Sequence, residues 1–273
     1  KMAEEGRCGV IVTGASRGIG KSIALNLTKG EHALSQVDFC LVSRSEGPLN
    51  SLKEEIQKEK ENSEVFVIPT DLSDSSINYS SHLSPFLKLV EEKKYSTLYL
   101  FNNSGSVDPI CPIQDLHNKK NEVNNALNLN VESVISLTSA VVAAAKKGDV
   151  KKLVVVNITS LAAVAPFENW ALYCTGKAAR EMFHQVLATE LGDWARVLSY
   201  SPGVVDTKIT QEVSAGESPM STAVSDIVKK GQALQPDETV KAMFNYLKKD
   251  EFKSGSRIDA YDEPCLPDRA PGK

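Results

Sequence analysis

Tyr173 and Lys177 stand four residues apart in Tyr173-Cys174-Thr175-Gly176-Lys177, and Ser160 lies thirteen positions before the tyrosine. On a helix, positions i and i+4 share a face, so the ammonium would sit beside the phenol. A free tyrosine ionises at about pH 10. A neighbouring cation favours the phenolate and brings that value toward neutrality. Such a tyrosine can give a proton to a carbonyl oxygen or take one from an alcohol. Ser160 follows the apolar run Leu153-Val154-Val155-Val156-Asn157-Ile158, which reads as a buried strand. Its hydroxyl could hydrogen-bond the same substrate oxygen. The Tyr–Lys spacing also suits an ordinary solvated helix face, so the rest of the chain has to decide.

The elements that must position these residues alternate regularly. Strands are expected at Gly9–Thr13, Phe39–Ser43, Val65–Pro69, Leu98–Asn102, Leu153–Thr159, Val197–Ser201 and Arg257–Ala260. Helical periodicity covers roughly 19–29, 48–60, 75–93, 120–147, 170–191 and 236–249. Strands separated by helices imply right-handed crossovers and a parallel sheet covered on both faces. The fold expected is therefore α/β, a doubly wound parallel sheet of about seven strands in a single domain. That domain would span residues 8–262, with flexible ends at 1–7 and 263–273, the latter holding three prolines. Residues 203–235 are less regular and would overhang the carboxyl edge of the sheet as a substrate lid.

Directly after the first strand comes Thr13-Gly14-Ala15-Ser16-Arg17-Gly18-Ile19-Gly20, then a helical run. Glycines permit a tight turn and close backbone approach, and the helix N-terminus offers N–H donors to a pyrophosphate. The segment from Gly14 through Ser16, Arg17, Gly18 and Ile19 to Gly20 thus reads as a dinucleotide cradle, the alternative being a glycine-rich turn without a ligand. A carboxylate at the end of the second strand would bind the ribose 2′-OH of NAD. Here the strand ends in Ser43-Arg44-Ser45, and Asp38 sits at its other end. Arg44 and Ser45, with Arg17, suit a 2′-phosphate, so the cofactor expected is NADP(H). Both arginines would equally suit a soluble surface. Asp71 and Leu72, after the third strand, are placed for the adenine. Asn102-Asn103-Ser104-Gly105 closes the fourth strand, where Asn103 and Gly105 let backbone approach the cofactor or simply form a turn.

Composition narrows the partners. Over 273 residues, 41% are hydrophobic, 24% are charged and the formal net charge is -4. No basic footprint points to nucleic acid or to an anionic membrane. No apolar run approaches the length of a membrane span, about 20 residues, and the N-terminus lacks a secretory layout. Five scattered cysteines without C-x-x-C, and four histidines without ligand spacing, give no disulfide framework and no metal site. A reducing, cytoplasmic setting is expected.

Taken together, the Gly14/Gly18/Gly20 loop, Asn102–Gly105, Ser160, Tyr173/Lys177 and Pro202-Gly203 resemble the short-chain dehydrogenase/reductase family in order and spacing. The resemblance covers residues 8–262. It implies that Asn130 is a catalytic asparagine holding a water wired to the lysine, with Asn128 as a near neighbour. It also implies that Pro202, Gly203, Val205 and Thr207 line the nicotinamide, that Lys177 binds its ribose, and that the enzyme is a homodimer. Ser104 departs from the family's usual alanine. Val156–Leu161, Pro166–Cys174, Lys177-Ala178-Ala179-Arg180 and Asp259-Ala260-Tyr261-Asp262 resemble a branch that reduces side-chain ketones of pterins with NADPH. That likeness implies that Asp259 anchors the pterin, a role that suits a carboxylate facing adjacent N–H donors. Trp170, Cys174, Ser160 and Tyr173 would complete the substrate site, although Trp170 and Phe167 serve core packing equally well. A broader carbonyl or diketone reductase, and a nucleotide-binding regulator without turnover, are the other two readings.

Overall fold

The computed structural model describes residues 6–271 other than 217 and 263. Seven apolar runs form strands β1 (Arg7–Thr13), β2 (Gln36–Ser43), β3 (Val65–Pro69), β4 (Thr97–Asn102), β5 (Lys152–Ile158), β6 (Ala195–Ser201) and β7 (Ser256–Asp259). All pair in parallel, in the order β3-β2-β1-β4-β5-β6-β7. Ten α-helices are described: α1 (Gly18–Thr28), α2 (Glu46–Glu59), α3 (Tyr79–His82), α4 (Ser84–Lys93), α5 (Lys120–Leu127), α6 (Ser133–Lys147), α7 (Ala171–Leu191), α8 (Lys208–Ser214), α9 (Pro219–Lys229) and α10 (Pro236–Lys249).

The strands are apolar throughout because both faces are covered. Side chains alternate across a strand. Val10, Val12, Phe101, Val156 and Leu198 meet Ile23 and Leu27 of α1, Leu52 of α2 and Phe244 of α10. Their neighbours Ile11, Leu100, Val155 and Val197 point the other way, onto Phe86 and Val90 of α4, Leu137 and Val141 of α6, and Leu187 of α7. The chain winds outward from β1 to β3, then returns to β4 on the opposite side of β1. A crevice must open between β1 and β4 at their carboxyl ends, where the flanking loops diverge.

The amino edge is closed by a charge cluster. Asp38 is fully buried there and accepts from Arg7 Nε (2.6 Å), the Tyr95 hydroxyl (2.7 Å) and the Glu64 N–H (2.8 Å). These bonds hold its carboxyl below the usual range even though burial pushes it up. Asp38 is thus a structural residue, remote from the carboxyl edge.

Several expectations need correction. The helix expected over 75–93 is interrupted at Leu83, which ends α3 and caps α4, whose first turn contains Pro85. Pro85 has no N–H to continue the ladder from α3, and its ring would crowd the Ser81 carbonyl four residues back. The helix expected over 120–147 carries a π-helical turn at Asn128–Glu132. By length and composition it could cross a membrane, but 44% of its most apolar stretch is buried inside the protein. The lid segment is not irregular: Thr207 caps α8 and Ser218 caps α9 through their hydroxyls. Arg7, assigned to a flexible N-terminus, begins β1, while residues 1–5 lie outside the described residues. The tail is docked where it is described: Leu266 N–H donates to Ala260 O (2.7 Å), Cys265 and Leu266 pack on the core, and Arg269 pairs with Glu238 at 2.8 Å.

Candidate active site

The glycine loop is shaped by backbone contacts. Gly14 N–H donates to Val42 O at 2.7 Å, tying the loop to β2. A Cβ on Gly20 would lie 2.2 Å from Gly14 O, so only glycine lets α1 start this close to β1. Gly14 and Gly18 have φ of +68° and +54°, the left-handed region. Arg17 caps α1, no side chain accepts the first-turn N–H groups, and no acidic residue occupies that turn. Unanswered donors at a helix N-terminus suit an anion. The residues therefore fit a dinucleotide's pyrophosphate, with Ser16 and Ile19 partly exposed beside it.

Neighbouring loops close around that slot. Asn103 Nδ2 donates to Thr13 O (2.8 Å) and Gly14 O (3.3 Å), while the N–H groups of Asn103 and Ser104 share Thr13 Oγ1 at 3.0 Å. Thr207 Cγ2 is 3.2 Å from where a Gly18 Cβ would be, which brings the start of α8 against the loop. Pro202 and Gly203 follow β6, and Gly203 (φ +76°) lies so close to the Tyr261 ring that a Cβ would clash at 2.7 Å. Val205 is buried and bridges to Leu234, so only its backbone is available to a ligand. Leu72 is likewise a core side chain. Arg44 and Ser45 are exposed after β2. Asp71 accepts from the Ser73 N–H and hydroxyl; these bonds and the Arg44 charge keep it low against burial.

Ser160, Tyr173, Lys177 and Asn130 converge beyond β4 and β5. Ser160 caps a short 3-10 turn, Leu161–Ala163, and accepts from Ala162 N–H at 3.2 Å. Its hydroxyl lies close enough to the Tyr173 phenol, in the first turn of α7, to favour the ionised phenol. Lys177, one turn on, is buried; Nζ donates to Ile158 O at 2.7 Å and lies 5.5 Å from the Tyr173 ring centroid. Asn130 sits in the π turn, with Nδ2 donating to Ser106 O (3.0 Å) and Oδ1 accepting Ser106 N–H (3.2 Å). Asn128 instead bonds Ser73 O at 3.1 Å, which separates the two asparagines. Gly176 packs on Asn130, and a Cβ on Gly105 would lie 3.0 Å from Asn130 Oδ1 and 3.8 Å from Lys177 Nζ.

The ionisation pattern departs from the i,i+4 expectation. Burial raises the Tyr173 phenol above its ordinary value, outweighing the nearby Ser160 hydroxyl and the Arg180 charge. Lys177 falls well below the ammonium range because it is buried and faces Arg180, with Glu181 opposing weakly. The cation that acts on the phenol is thus Arg180, which the Tyr–Lys pattern did not single out. A charge seven residues after Tyr173, on the same helix face, was the signal available.

On the substrate side, Trp170 is buried and meets Phe167 and Tyr173 edge-on, at 5.8 and 5.6 Å between ring centroids. It belongs to a third cluster with Val107, Val213 of α8 and Val224 of α9, against which the Tyr173 ring also packs. Among the described residues, the Trp170 indole N–H is buried without a partner. Cys174 packs at the edge of that cluster, its Sγ 3.8 Å from Ala165 O. Asp259 ends β7 and is not a loose surface carboxylate: Oδ2 accepts from Ser201 Oγ (2.6 Å) and Arg257 Nη2 (3.3 Å), and Oδ1 from Tyr261 N–H (3.1 Å).

Comparison with known proteins shows the family. The family model for short chain dehydrogenase matches residues 9–218. Sepiapterin reductase of Rattus norvegicus is 34% identical over 269 residues, covering 95% of this chain and 99% of its own. Benzil reductase ((S)-benzoin forming) of Bacillus cereus is 30% identical over 258 residues, covering 92% and 98%. A Shigella flexneri short chain dehydrogenase solved with NADP superposes with a TM-score of 0.74 at 22% identity, covering 96% of this chain and 99% of that one. With a matched model over most of its length and relatives above 30% identity, the chain belongs to the short-chain dehydrogenase family and is an oxidoreductase acting on carbonyl or alcohol groups.

Proposed function

We propose that this oxidoreductase uses NADPH to reduce side-chain ketones of pterins, as a cytoplasmic homodimer. The observation that carries the reading is Tyr173 with Lys177 Nζ 5.5 Å from its ring, and Asn130 beside that lysine, next to a glycine cradle whose helix has no side-chain cap. Gly14 to Gly20 would hold the pyrophosphate of a nicotinamide cofactor, and Asn103, Gly105, Pro202, Gly203, Val205 and Thr207 would flank its nicotinamide half. Arg44, Ser45 and Arg17, with no carboxylate at the end of β2, favour a 2′-phosphate. Bound there, NADPH supplies a hydride to the ketone carbon. Tyr173 protonates the carbonyl oxygen as negative charge develops on it, and Ser160 donates a hydrogen bond to the same oxygen. Lys177 binds the ribose, and Asn130 orients a water toward that lysine. Five scattered cysteines without a C-x-x-C motif favour a reducing compartment. Similarity to sepiapterin reductases, together with Asp259, supports the pterin.

One observation favours a second reading, a broader diketone reductase. Asp259 already serves Ser201, Arg257 and Tyr261, so less of its accepting capacity is free for a pterin, and benzil reductases are among the relatives. NADPH consumption with sepiapterin beside an aromatic diketone, in the parent and in Asp259→Ala, separates the two. A buried polar anchor discriminates strongly. The expected outcome is a loss of about 100-fold in kcat/KM for sepiapterin and less than about threefold for the diketone. Equal losses would remove Asp259 from recognition, and a parent that turns over only the diketone would replace the pterin reading.

A further inference from the structure

Arg180 has no step in the reaction proposed above. It lies on α7 three residues after Lys177, and its side chain is among the largest that are fully buried, with 1% exposure. Nε donates to Asn157 Oδ1 (2.8 Å), Nη1 to Ser104 O (2.7 Å) and Nη2 to Asn102 O. All three acceptors are neutral. Among the described residues no carboxylate pairs with it: Glu181, next in sequence, accepts instead from Thr159 Oγ1 at 2.7 Å and faces Arg257 at 3.2 Å. A guanidinium keeps its proton at physiological pH. Burying one without a counter-ion is costly. The three-way fork needs the guanidinium, and the charge that comes with it lies beside Lys177 Nζ.

We propose that Arg180 is a positioning residue of the reductase: its guanidinium ties the ends of β4 and β5 into one floor and holds a fixed positive charge beside Tyr173 and Lys177. The bonds to Asn102 and Ser104 fix the β4 loop from below, and the bond to Asn157 fixes β5 two residues before Thr159 and three before Ser160. Arg180 Nη1 and Lys177 Nζ both lie within 4 Å of the point a Gly105 Cβ would occupy, so the two cations share one small volume. The charge pulls the phenol toward ionisation against its burial and drives Lys177 toward neutrality. The titratable groups facing it are Tyr173, Lys177, Glu181 and His184 on α7. Of these His184 is held down to about 3 by burial and does not compete. β4, β5 and the π turn contribute only the neutral Asn102, Ser104, Asn157 and Asn130.

The inference rests on the Ser160–Tyr173–Lys177 reading, so its test includes Tyr173→Phe. Ketone reduction with NADPH is followed by brief exposure at each pH from about 6 to 12 in the parent, Arg180→Gln and Arg180→Lys. Deprotonation of the donor sets the alkaline limb of kcat/KM. Removing the positive charge should move that limb up by about one pH unit in Arg180→Gln. Arg180→Lys keeps the charge but not the three-way fork, so its limb should stay in place while kcat falls about tenfold with little change in the KM for NADPH. An unmoved limb in Arg180→Gln overturns the electrostatic role, and so does a raised limb in Arg180→Lys. A parent-like kcat in Arg180→Lys overturns the clamp. Should Arg180→Gln fail to fold, Arg180→Met carries the charge-removal arm with the same expected upward limb, and an unmoved limb there overturns the electrostatic role. Substantial turnover by Tyr173→Phe would instead overturn the site reading itself, whereas an inactive Tyr173→Phe with an unmoved Arg180→Gln limb overturns only this inference.

Discussion

A phenol donates a proton only while it holds one, and Tyr173 is built to hold it. Burial raises its ionisation above the ordinary value, so the protonated form predominates at neutral pH. That is the form a reduction consumes, because the donor must be charged with its proton before the carbonyl oxygen becomes basic. The sign follows: reduction should be level through neutral pH and fall on the alkaline side as the phenol ionises, while alcohol oxidation should rise over the same range. Tyr173→Phe removes the donor and leaves the ring packed on Trp170. Its kcat should fall by about 10³-fold, with NADPH affinity unchanged within about twofold by fluorescence titration. More than a tenth of parental turnover would remove Tyr173 as donor. Ser160, Tyr173 and Lys177 were readable from spacing alone, since i,i+4 geometry and a strand end fix where they go. The direction of the Tyr173 shift was not, because burial and the Arg180 charge depend on how α7 docks against β4 and β5.

At the scale of elements, the strands and most helices lie within a few residues of where apolar periodicity placed them, because a sheet covered on both faces writes itself as apolar runs. What periodicity missed is held by tertiary contacts or local caps. The helices α8 and α9 are short, start on hydroxyl caps and rest on Trp170, which no local pattern reveals. The π turn around Asn130 breaks the 3.6-residue period for one turn only, and such turns collect at functional sites. The β1–α1 junction was readable from its glycines, and it yields a direct test. The carbonyl 2.2 Å from a Gly20 Cβ is backbone and belongs to Gly14, itself tied to β2, so it cannot step aside without moving the cradle. Gly20→Ala should cost about 1–3 kcal/mol of stability and weaken NADPH binding at least about tenfold, the fold that about 1.4 kcal/mol represents. Gly47→Ala, at a helical site with no atom within 4 Å, is the control and should be neutral or slightly stabilising. Parent-like melting and NADPH titration in Gly20→Ala would show that the turn tolerates the methyl group.

At the scale of the whole molecule, α7 presents two faces with different demands. Its inner face carries Lys177, Arg180, His184 and Leu187, all buried. Its outer face carries Met182 and Val186, one turn apart and 60% and 46% exposed, and Ile135 on α6 is also exposed at 38%. Single exposed apolar residues are ordinary, but two in register on the helix that aligns Tyr173 form a self-complementary stripe that a twofold axis would cover. Burying a methionine or valine side chain contributes about 1.5–3 kcal/mol, so four such side chains across a dimer would supply much of a stable interface. A carboxylate placed in that stripe would meet its own symmetry mate, and a buried like-charge pair is strongly unfavourable. The double variant Met182→Glu/Val186→Glu should therefore fold, since both positions are exposed on the single chain, yet run as a monomer in light scattering where the parent runs as a dimer. Because α7 also holds Lys177 and Arg180 in place, the monomer should lose part of its kcat while the diluted parent loses activity in step with its dimer. A parent that is monomeric at micromolar concentration, or a double variant that stays dimeric, would move the interface off this face.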